Sequence, residues 1–221
     1  MIKKAIDEKL EIINFSSPNT FRVADLGCSV GPNTFLAVQN IVDALEHKYK
    51  RQGLGSHQLP EIQVFFNDHT SNDFNQLFNS LPPERRYYAT GVPGSFHGRL
   101  FPTSSIHFFY SSHALHWLSR VPEEVVDKSS PAWNKGRIYY SNSGDEVLKS
   151  YEAQYFKDMH ACLSARAQEI VHGGLMALIV PACPNGTPHS QVFLNKTLEL
   201  LGLGLMDMAK RVIKEFHFYI I

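Results

Sequence analysis

The sequence predicts an α/β protein with a mostly parallel sheet flanked by helices, and three observations support this. Short apolar runs rich in Val, Ile and Phe alternate with longer segments of helical periodicity. The chain has 221 residues, of which 43% are hydrophobic, so it can bury a substantial core. Its first apolar run, residues 21–26, leads into a tight glycine loop and then a helix, which is typical of parallel sheets.

The first half of the chain contributes three helices and two strands to this prediction. Residues 2–13 carry apolar side chains near helical spacing, and residues 21–26 form a buried strand. After the loop at 27–32, Pro32 favours the start of a helix over 33–49. Residues 61–67 are the second strand, and a short helix over 72–79 ends before two prolines.

The second half continues the alternation. Strands are predicted over 87–92 and 105–110, the longest helix over 145–169, a turn at His172-Gly173-Gly174 and a strand over 175–180. A helix over 191–210 and a last strand complete a single domain of residues 1–221, in which 212–221 is the terminal strand. Charged residues outside the motifs are expected on the solvated surface.

Composition excludes several classes of protein. The chain has 21 basic and 21 acidic residues, which gives no electrostatic case for binding nucleic acid or an anionic membrane. The three cysteines are far apart and form no CxxC pair, so a disulfide scaffold or a structural zinc site is not expected. Residues 1–10 lack the apolar region of a signal peptide, and the run 175–180 is too short to cross a bilayer. We therefore expect a cytoplasmic protein.

The loop after the first strand is the main functional signal. Gly27 and Gly31 permit close backbone approach by a nucleoside, and their GxxxG spacing excludes the GxGxxG dinucleotide motif and the P-loop. Asp25 shortly before the first glycine is typical of S-adenosylmethionine (SAM) methyltransferases. Asp68, which ends the next strand, is expected to hold ribose hydroxyls. A strand, turn and helix without any ligand remains the alternative interpretation of this pattern.

Longer motifs extend this signal along the chain: ADLGCS at 24–29, GPNT at 31–34, ND at 67–68 followed by NDFN at 72–75, GVPGSFHGRLFP at 91–102, SSHALHWLS at 111–119 and NKGRIY at 134–139. These motifs resemble the SABATH family of plant methyltransferases, which act on salicylate, benzoate, jasmonate and theobromine-type substrates in secondary metabolism. The resemblance covers roughly residues 1–210. It implies a Rossmann-like class I methyltransferase core, in which residues 14–182 bind the cofactor and residues 183–211 are a remnant of the family's helical cap.

The resemblance also implies the site residues. The cofactor-binding residues would be Asp25, Gly27, Cys28, Asn33, Asp68, His69, Ser95, Phe96, Ser111 and Ser112. The residues facing the acceptor would be His113, His116 and Trp117, with Trp117 and His116 positioning it and no residue acting as a catalytic acid or base. Asn142 matches a family position that binds magnesium, and family members often form homodimers.

The chain also departs from the family pattern. Its sequence lacks the N-terminal segment that closes over SAM and most of the helical cap, and His69 stands where Leu is common. Trp117 is alternatively a core tryptophan, Asp68 a helix cap, and Asp25 a helix or loop cap. His113 and His116 share helical spacing but have no nearby acidic or cysteine partners for a metal.

The resemblance implies a SAM-dependent O-methyltransferase that methylates the carboxylate of a small aromatic, terpenoid or fatty-acid-derived acid. A carboxylate is already ionised near neutral pH and needs no general base, which agrees with a sequence that offers no convincing nucleophile–base pair. Two alternatives stay open. One is N-methylation of a xanthine-like ring, and the other is a catalytically impaired homologue that binds SAM or dimerises.

Overall fold

The computed structural model describes residues 2–12, 15, 20–53, 59–135, 137, 139–140, 143–184, 186–188 and 191–216. The helices are α1 (Ile2–Lys9), α2 (Pro32–Arg51), α3 (Phe74–Asn79), α4 (Asp145–Glu169) and α5 (Phe193–Phe216), with a short 3-10 helix at Glu123–Val125. The strands are β1 (Thr20–Leu26), β2 (Glu61–Asp68), β3 (Tyr88–Pro93), β4 (Ile106–Ser112) and β5 (Ile170–Ile179). No helix among these described residues is long and apolar enough to cross a membrane.

The five strands form one parallel sheet in the order β3-β2-β1-β4-β5. This order confirms the predicted Rossmann-like core. The strand order reverses between β1 and β4, and in such sheets ligands bind at the carboxyl ends of the strands near that reversal. The loops that follow Leu26, Asp68, Pro93 and Ser112 therefore meet at one edge.

Each face of the sheet is covered by its own hydrophobic cluster, because neighbouring residues of a strand point to opposite faces. On β1, Phe21 and Val23 pack with residues of α1, α2 and α3, whereas Ala24 and Leu26 pack with Phe109 and the adjoining loops. All of these β1 side chains are fully buried. Burial on both faces explains why the strands read as nearly continuous apolar runs.

The chain divides into two compact units. The first comprises Met1–Trp117 and Met159–Val180 and contains the whole sheet with α1, α2 and α3. The second comprises Leu118–Asp158 and Pro181–Ile221. Within the second unit, the buried Asp158 carboxylate accepts hydrogen bonds from the Ser119 backbone N–H (2.8 Å), the Ser119 hydroxyl (2.6 Å) and the Gln154 amide (2.8 Å).

Two predicted elements are wrong. The His172-Gly173-Gly174 sequence is part of β5 and not a turn. The pairing with β4 shifts between Ile106 and Phe108, and Gly173 adopts φ +78°, so the glycines form an irregularity inside a strand. A glycine pair marks a bulge as readily as a turn, and only the neighbouring strand distinguishes them.

The terminal strand predicted over 212–221 is also wrong as far as residue 216, because α5 continues to Phe216. Residues 217–221 lie outside the described residues. The apolar residues Leu201, Leu205, Met208 and Val212 continue helical spacing through the predicted boundary. The β-branched pair at 212–213 favoured a strand, but the helical periodicity around it prevails.

Candidate functional site

The glycine loop between β1 and α2 is tied to the end of β2 by its backbone. Gly27 adopts φ +80°, and the N–H groups of Gly27 and Cys28 both donate to the Asn67 carbonyl, at 2.8 and 3.0 Å. Ser29 also has a positive φ of 53°, which is uncommon for a residue with a side chain. The loop therefore holds a tight, unusual conformation at the carboxyl edge of the sheet.

Asp68 anchors this loop through its side chain. Its Oδ2 accepts the Ser29 N–H at 2.7 Å, and its Oδ1 accepts the His69 N–H at 2.7 Å. The alternative in which Asp68 caps the next helix is wrong, because the Asp73 side chain caps α3 by accepting the Gln76 N–H at 2.9 Å. Asp68 is only half-buried, and each of its oxygens keeps lone pairs that can accept ribose hydroxyls.

Asp25, near the end of β1, has a different environment. It is 3% exposed, and the Thr34 hydroxyl in the first turn of α2 donates to its Oδ2. Burial raises the pKa of Asp25 to about 7, the Thr34 hydrogen bond opposes that rise, and the charge of Asp68 adds to it. Asp25 therefore links the end of β1 to the start of α2 through the Thr34 side chain. The alternative in which Asp25 caps this helix is wrong, because the N-cap residue of α2 is Gly31 and no side chain accepts a capping hydrogen bond there.

The other residues of the first loop are placed at the same edge. Cys28 is buried, and burial together with Asp25 and Asp68 raises the pKa of its thiol, so the thiol stays protonated. Gly31 precedes α2 and Asn33 is exposed in its first turn.

The loop after β3 carries Ser95 and Phe96. Ser95 is exposed, whereas Phe96 is 5% exposed, and its ring centroid lies 6.4 Å from that of His69. The Asn67 side-chain amide donates to the carbonyls of Val92 (2.8 Å) and Gly94 (2.9 Å), which fixes the start of the loop. His69, Phe96 and the end of β2 are thus brought together at the carboxyl edge of the sheet.

The turn after β4 carries the predicted acceptor residues. Ser111 is buried and donates its hydroxyl to the Leu26 carbonyl at 2.8 Å, whereas the Ser112 hydroxyl lies 3.0 Å from His113 Nδ1. His113 adopts φ +54° and its backbone N–H donates to Ile179 at 2.9 Å. The end of β4 is therefore hydrogen-bonded to the ends of both neighbouring strands, through the Ser111 side chain to β1 and through the His113 backbone to β5.

Trp117 is 68% exposed, so the alternative of a core tryptophan is wrong. Its ring centroid lies 5.8 Å from that of His116, whose pKa is lowered by burial and by the nearby His113. An exposed indole beside a neutral imidazole offers an N–H donor and a flat apolar face to a ligand.

The acceptor turn and the glycine loop touch directly. A Cβ built on Gly27 would lie 2.2 Å from the Ala114 Cβ and 3.8 Å from the Phe96 ring. Only glycine allows this approach, so three predicted site segments meet at Gly27. Sequence reasoning missed Ala114, Thr34 and Asn67, because nothing in their residue types signals these contacts.

Among the described residues, no group of three or more His, Cys, Asp or Glu side chains is placed so that it could hold a metal ion. Asn142, the predicted magnesium ligand, lies outside the described residues.

Comparisons with known proteins agree with this geometry. The family model for SAM dependent carboxyl methyltransferases matches residues 1–217. The loganic acid O-methyltransferase of Catharanthus roseus is 49% identical over 219 residues, which are 96% of this chain and 57% of that protein. The farnesoic acid carboxyl-O-methyltransferase of Arabidopsis thaliana is 46% identical over 210 residues, covering 95% and 59%.

A solved structure of a loganic acid methyltransferase with SAH shares the fold with a TM-score of 0.91 and 50% sequence identity. The match covers 96% of this chain and 60% of that one, so the chain spans less than two thirds of the relatives it matches. Together with the family match over residues 1–217, this similarity shows that the chain belongs to the SAM dependent carboxyl methyltransferase family, the SABATH family.

Proposed function

We propose that this chain forms the cofactor-binding part of a SAM-dependent O-methyltransferase that methylates the carboxylate of a small acid. Residues 14–182 would bind the cofactor, and residues 183–211 would belong to the cap. The observation that carries the proposal is Asp68, half-buried at the end of β2 and bonded to the glycine loop through Ser29. Its free lone pairs suit two neighbouring ribose hydroxyls.

Methyl transfer requires residues that position the acceptor and the methyl donor, and it does not require a catalytic acid or base. SAM, when bound, supplies an electrophilic methyl group on a positively charged sulfur. The acceptor carboxylate, with a pKa of about 4, is ionised near neutral pH and attacks that carbon with an oxygen lone pair. The carbon–sulfur bond breaks with its electrons on sulfur, and no proton moves. Alignment alone can supply about 7–11 kcal/mol, so the protein needs no general base.

The acceptor would lie against the turn after β4. We place His113, His116 and Trp117 there, with the Trp117 indole N–H donating to the carboxylate. The exposure of Trp117 and the contact between Ala114 and Gly27 support this placement, because they set the turn beside the cofactor loop. Small acids of the kind named for the two relatives are the proposed acceptor class.

Isothermal titration with S-adenosylhomocysteine tests the cofactor site. The wild-type chain should bind, and Asp68→Asn should weaken binding tenfold or more, which corresponds to roughly 1.4 kcal/mol. An analogue that lacks both ribose hydroxyls should bind the wild type and Asp68→Asn with equal affinity. Asp43→Asn is the matched control, because Asp43 is an exposed acid on α2 bonded to Arg86. A wild type that is folded but does not bind would refute the proposal.

A methyl-transfer assay with labelled SAM tests the reaction. The panel should include loganic, farnesoic, benzoic and salicylic acids together with a xanthine. Methyl ester formation supports the proposal, and Trp117→Phe should then raise the KM for the acid without changing S-adenosylhomocysteine binding. Labelled N-methylxanthine would favour the ring-nitrogen alternative. Tight cofactor binding without any product would identify a binding homologue.

Three finer features belong to the same proposal: magnesium at Asn142, a homodimer and a cytoplasmic location. The family resemblance supports the first two, and apolar side chains that α5 exposes, such as Phe193 and Leu200, also support the dimer. The proposed location follows from residues 1–10, which lack the apolar region of a signal peptide. Sedimentation equilibrium, metal analysis of the purified chain and a fluorescent fusion in plant cells test them in turn.

A further inference from the structure

A fully buried ion pair lies at the end of α4. Arg166 is 1% exposed and Glu169 is 0% exposed, and Arg166 Nε donates to Glu169 Oε2 at 2.7 Å. The prediction that charged residues outside the motifs lie on the solvated surface is wrong for these two residues. Burying two charges costs free energy that a well-packed apolar pair would avoid. The pair therefore calls for an explanation other than stability.

The remaining hydrogen-bonding groups of the pair are directed to one loop. Arg166 Nη1 donates to the Phe96 carbonyl at 2.9 Å, and its Nη2 donates to the Gly98 carbonyl at 2.7 Å. Glu169 Oε1 accepts the N–H groups of Leu100 (2.6 Å) and Phe101 (3.0 Å). A planar guanidinium and a carboxylate thus fix four backbone groups within six consecutive residues.

This loop, residues 96–101, has no helix or strand of its own. It carries Phe96, which lies beside Gly27 and is assigned to the adenine subsite. Asn67 fixes the chain just before the loop through Val92 and Gly94, so the buried pair completes its attachment. A loop already held in its bound shape loses less conformational entropy when a ligand binds.

We propose that Arg166 and Glu169 are positioning residues that set the affinity for the adenosine part of the cofactor by holding residues 96–101 in their binding shape. This inference rests on the proposed function, because it needs the site to bind an adenosine ligand. The charges themselves do not touch the ligand. Their effect passes through Phe96, whose carbonyl Arg166 holds.

The test measures binding of S-adenosylhomocysteine and of adenosine by Arg166→Met, Arg166→Lys and the wild type. Arg166→Met should weaken both ligands tenfold or more. Arg166→Lys keeps the charge but replaces three separated nitrogens, which reach Glu169 and the Phe96 and Gly98 carbonyls, with a single one, so it should recover part of the affinity. Hydrogen exchange should show faster exchange at Leu100 and Phe101 in Arg166→Met than in the wild type, with the amides of β1 unchanged.

Lys48→Met is the matched control. Lys48 is also a buried cation that donates to two backbone carbonyls, those of Ile6 and Asp7, both at 2.8 Å. It lies fourteen residues after Thr34 on α2, about 20 Å along the helix from the glycine loop. This variant should lose stability while its folded form binds S-adenosylhomocysteine within twofold of the wild type.

The outcomes separate the inference from the proposed function. A folded wild type that binds neither ligand refutes both. If the wild type binds and both Arg166→Lys and Arg166→Met bind as tightly as the wild type, the inference alone is overturned. Equal weakening by Lys48→Met and Arg166→Met would also overturn it, because the effect would then follow general stability. If Arg166→Met does not fold, Arg166→Lys decides the question. Weaker binding together with faster hydrogen exchange at Leu100 supports the inference, and wild-type values of both overturn it.

Discussion

Replacing Asp25 with asparagine should make the protein more stable than the wild type, and increasingly so as the pH rises. Burial raises the pKa of Asp25 from 3.8 to about 7, so the folded protein keeps a proton that the unfolded chain releases. The stability associated with that proton is complete below about pH 4 and is lost as the pH rises through about 7. Asparagine stays neutral and can still accept the Thr34 hydroxyl.

The magnitude follows from the shift in pKa. A shift of about three units corresponds to about 4 kcal/mol over the full titration, of which about 2–3 kcal/mol falls between pH 5 and pH 8. The free energy of unfolding of Asp25→Asn, minus that of the wild type, should therefore grow by about 2–3 kcal/mol between these two pH values. Other titrating groups largely cancel, because both proteins contain them.

Urea unfolding followed by far-UV circular dichroism at pH 5 and pH 8 measures this difference, with equal m-values as the check that the same transition is compared. Thr34→Val provides a second test in a protein that keeps Asp25. It removes the hydrogen bond that opposes the rise in the pKa of Asp25, so this variant should lose the stability linked to the Asp25 proton at a higher pH than the wild type does. A difference between Asp25→Asn and the wild type that is the same at both pH values would show that Asp25 is not held protonated by burial.

Other substitutions test the packing of the glycine loop and of buried groups elsewhere in the core. Gly27→Ala should cost about 2–5 kcal/mol in urea unfolding, because it adds a methyl group against Ala114 at a positive φ, whereas Gly31→Ala, with open space, should stay within about 0.5 kcal/mol. Lys48→Met should cost about 1–3 kcal/mol by the same measurement, since it removes the Lys48 ammonium donor from the Ile6 and Asp7 carbonyls at the end of α1. Burial lowers the pKa of His107 to about 4, so the contribution of His107 to stability falls as the pH drops from 6.5 towards 4 and opposes the contribution of Asp25. The free energy of unfolding of His107→Asn, relative to that of the wild type, should therefore rise as the pH falls across that range.

Most of the sheet could be predicted because its signals are local. The runs at 21–26, 61–67 and 105–110 are largely apolar, and each is a central strand of the parallel sheet. Helix α4 begins and ends where the sequence predicted, and the acidic residues of its first turn favour that start.

The contacts that shape the site could not be predicted, because they depend on which loops meet. Nothing near Gly27 in sequence indicates that Ala114 lies against it, 87 residues later. Arg166 and Glu169 have the spacing of an ordinary surface pair on a helix, and only the burial of the helix end reveals their partners. The same limit applies to Gly173, where strand pairing with β4 decides between a turn and a bulge.

The two acids that the glycine motif singled out differ in what they can do, although both lie at the same edge of the sheet. Asp25 is buried against Thr34, so its charge is costly and its main contact is within the protein. Asp68 is half-buried, bonds two backbone N–H groups and keeps lone pairs for a ligand. Asp25→Asn should therefore change stability more than affinity, and Asp68→Asn affinity more than stability. If both substitutions changed S-adenosylhomocysteine binding by the same factor, burial would not be what separates their roles.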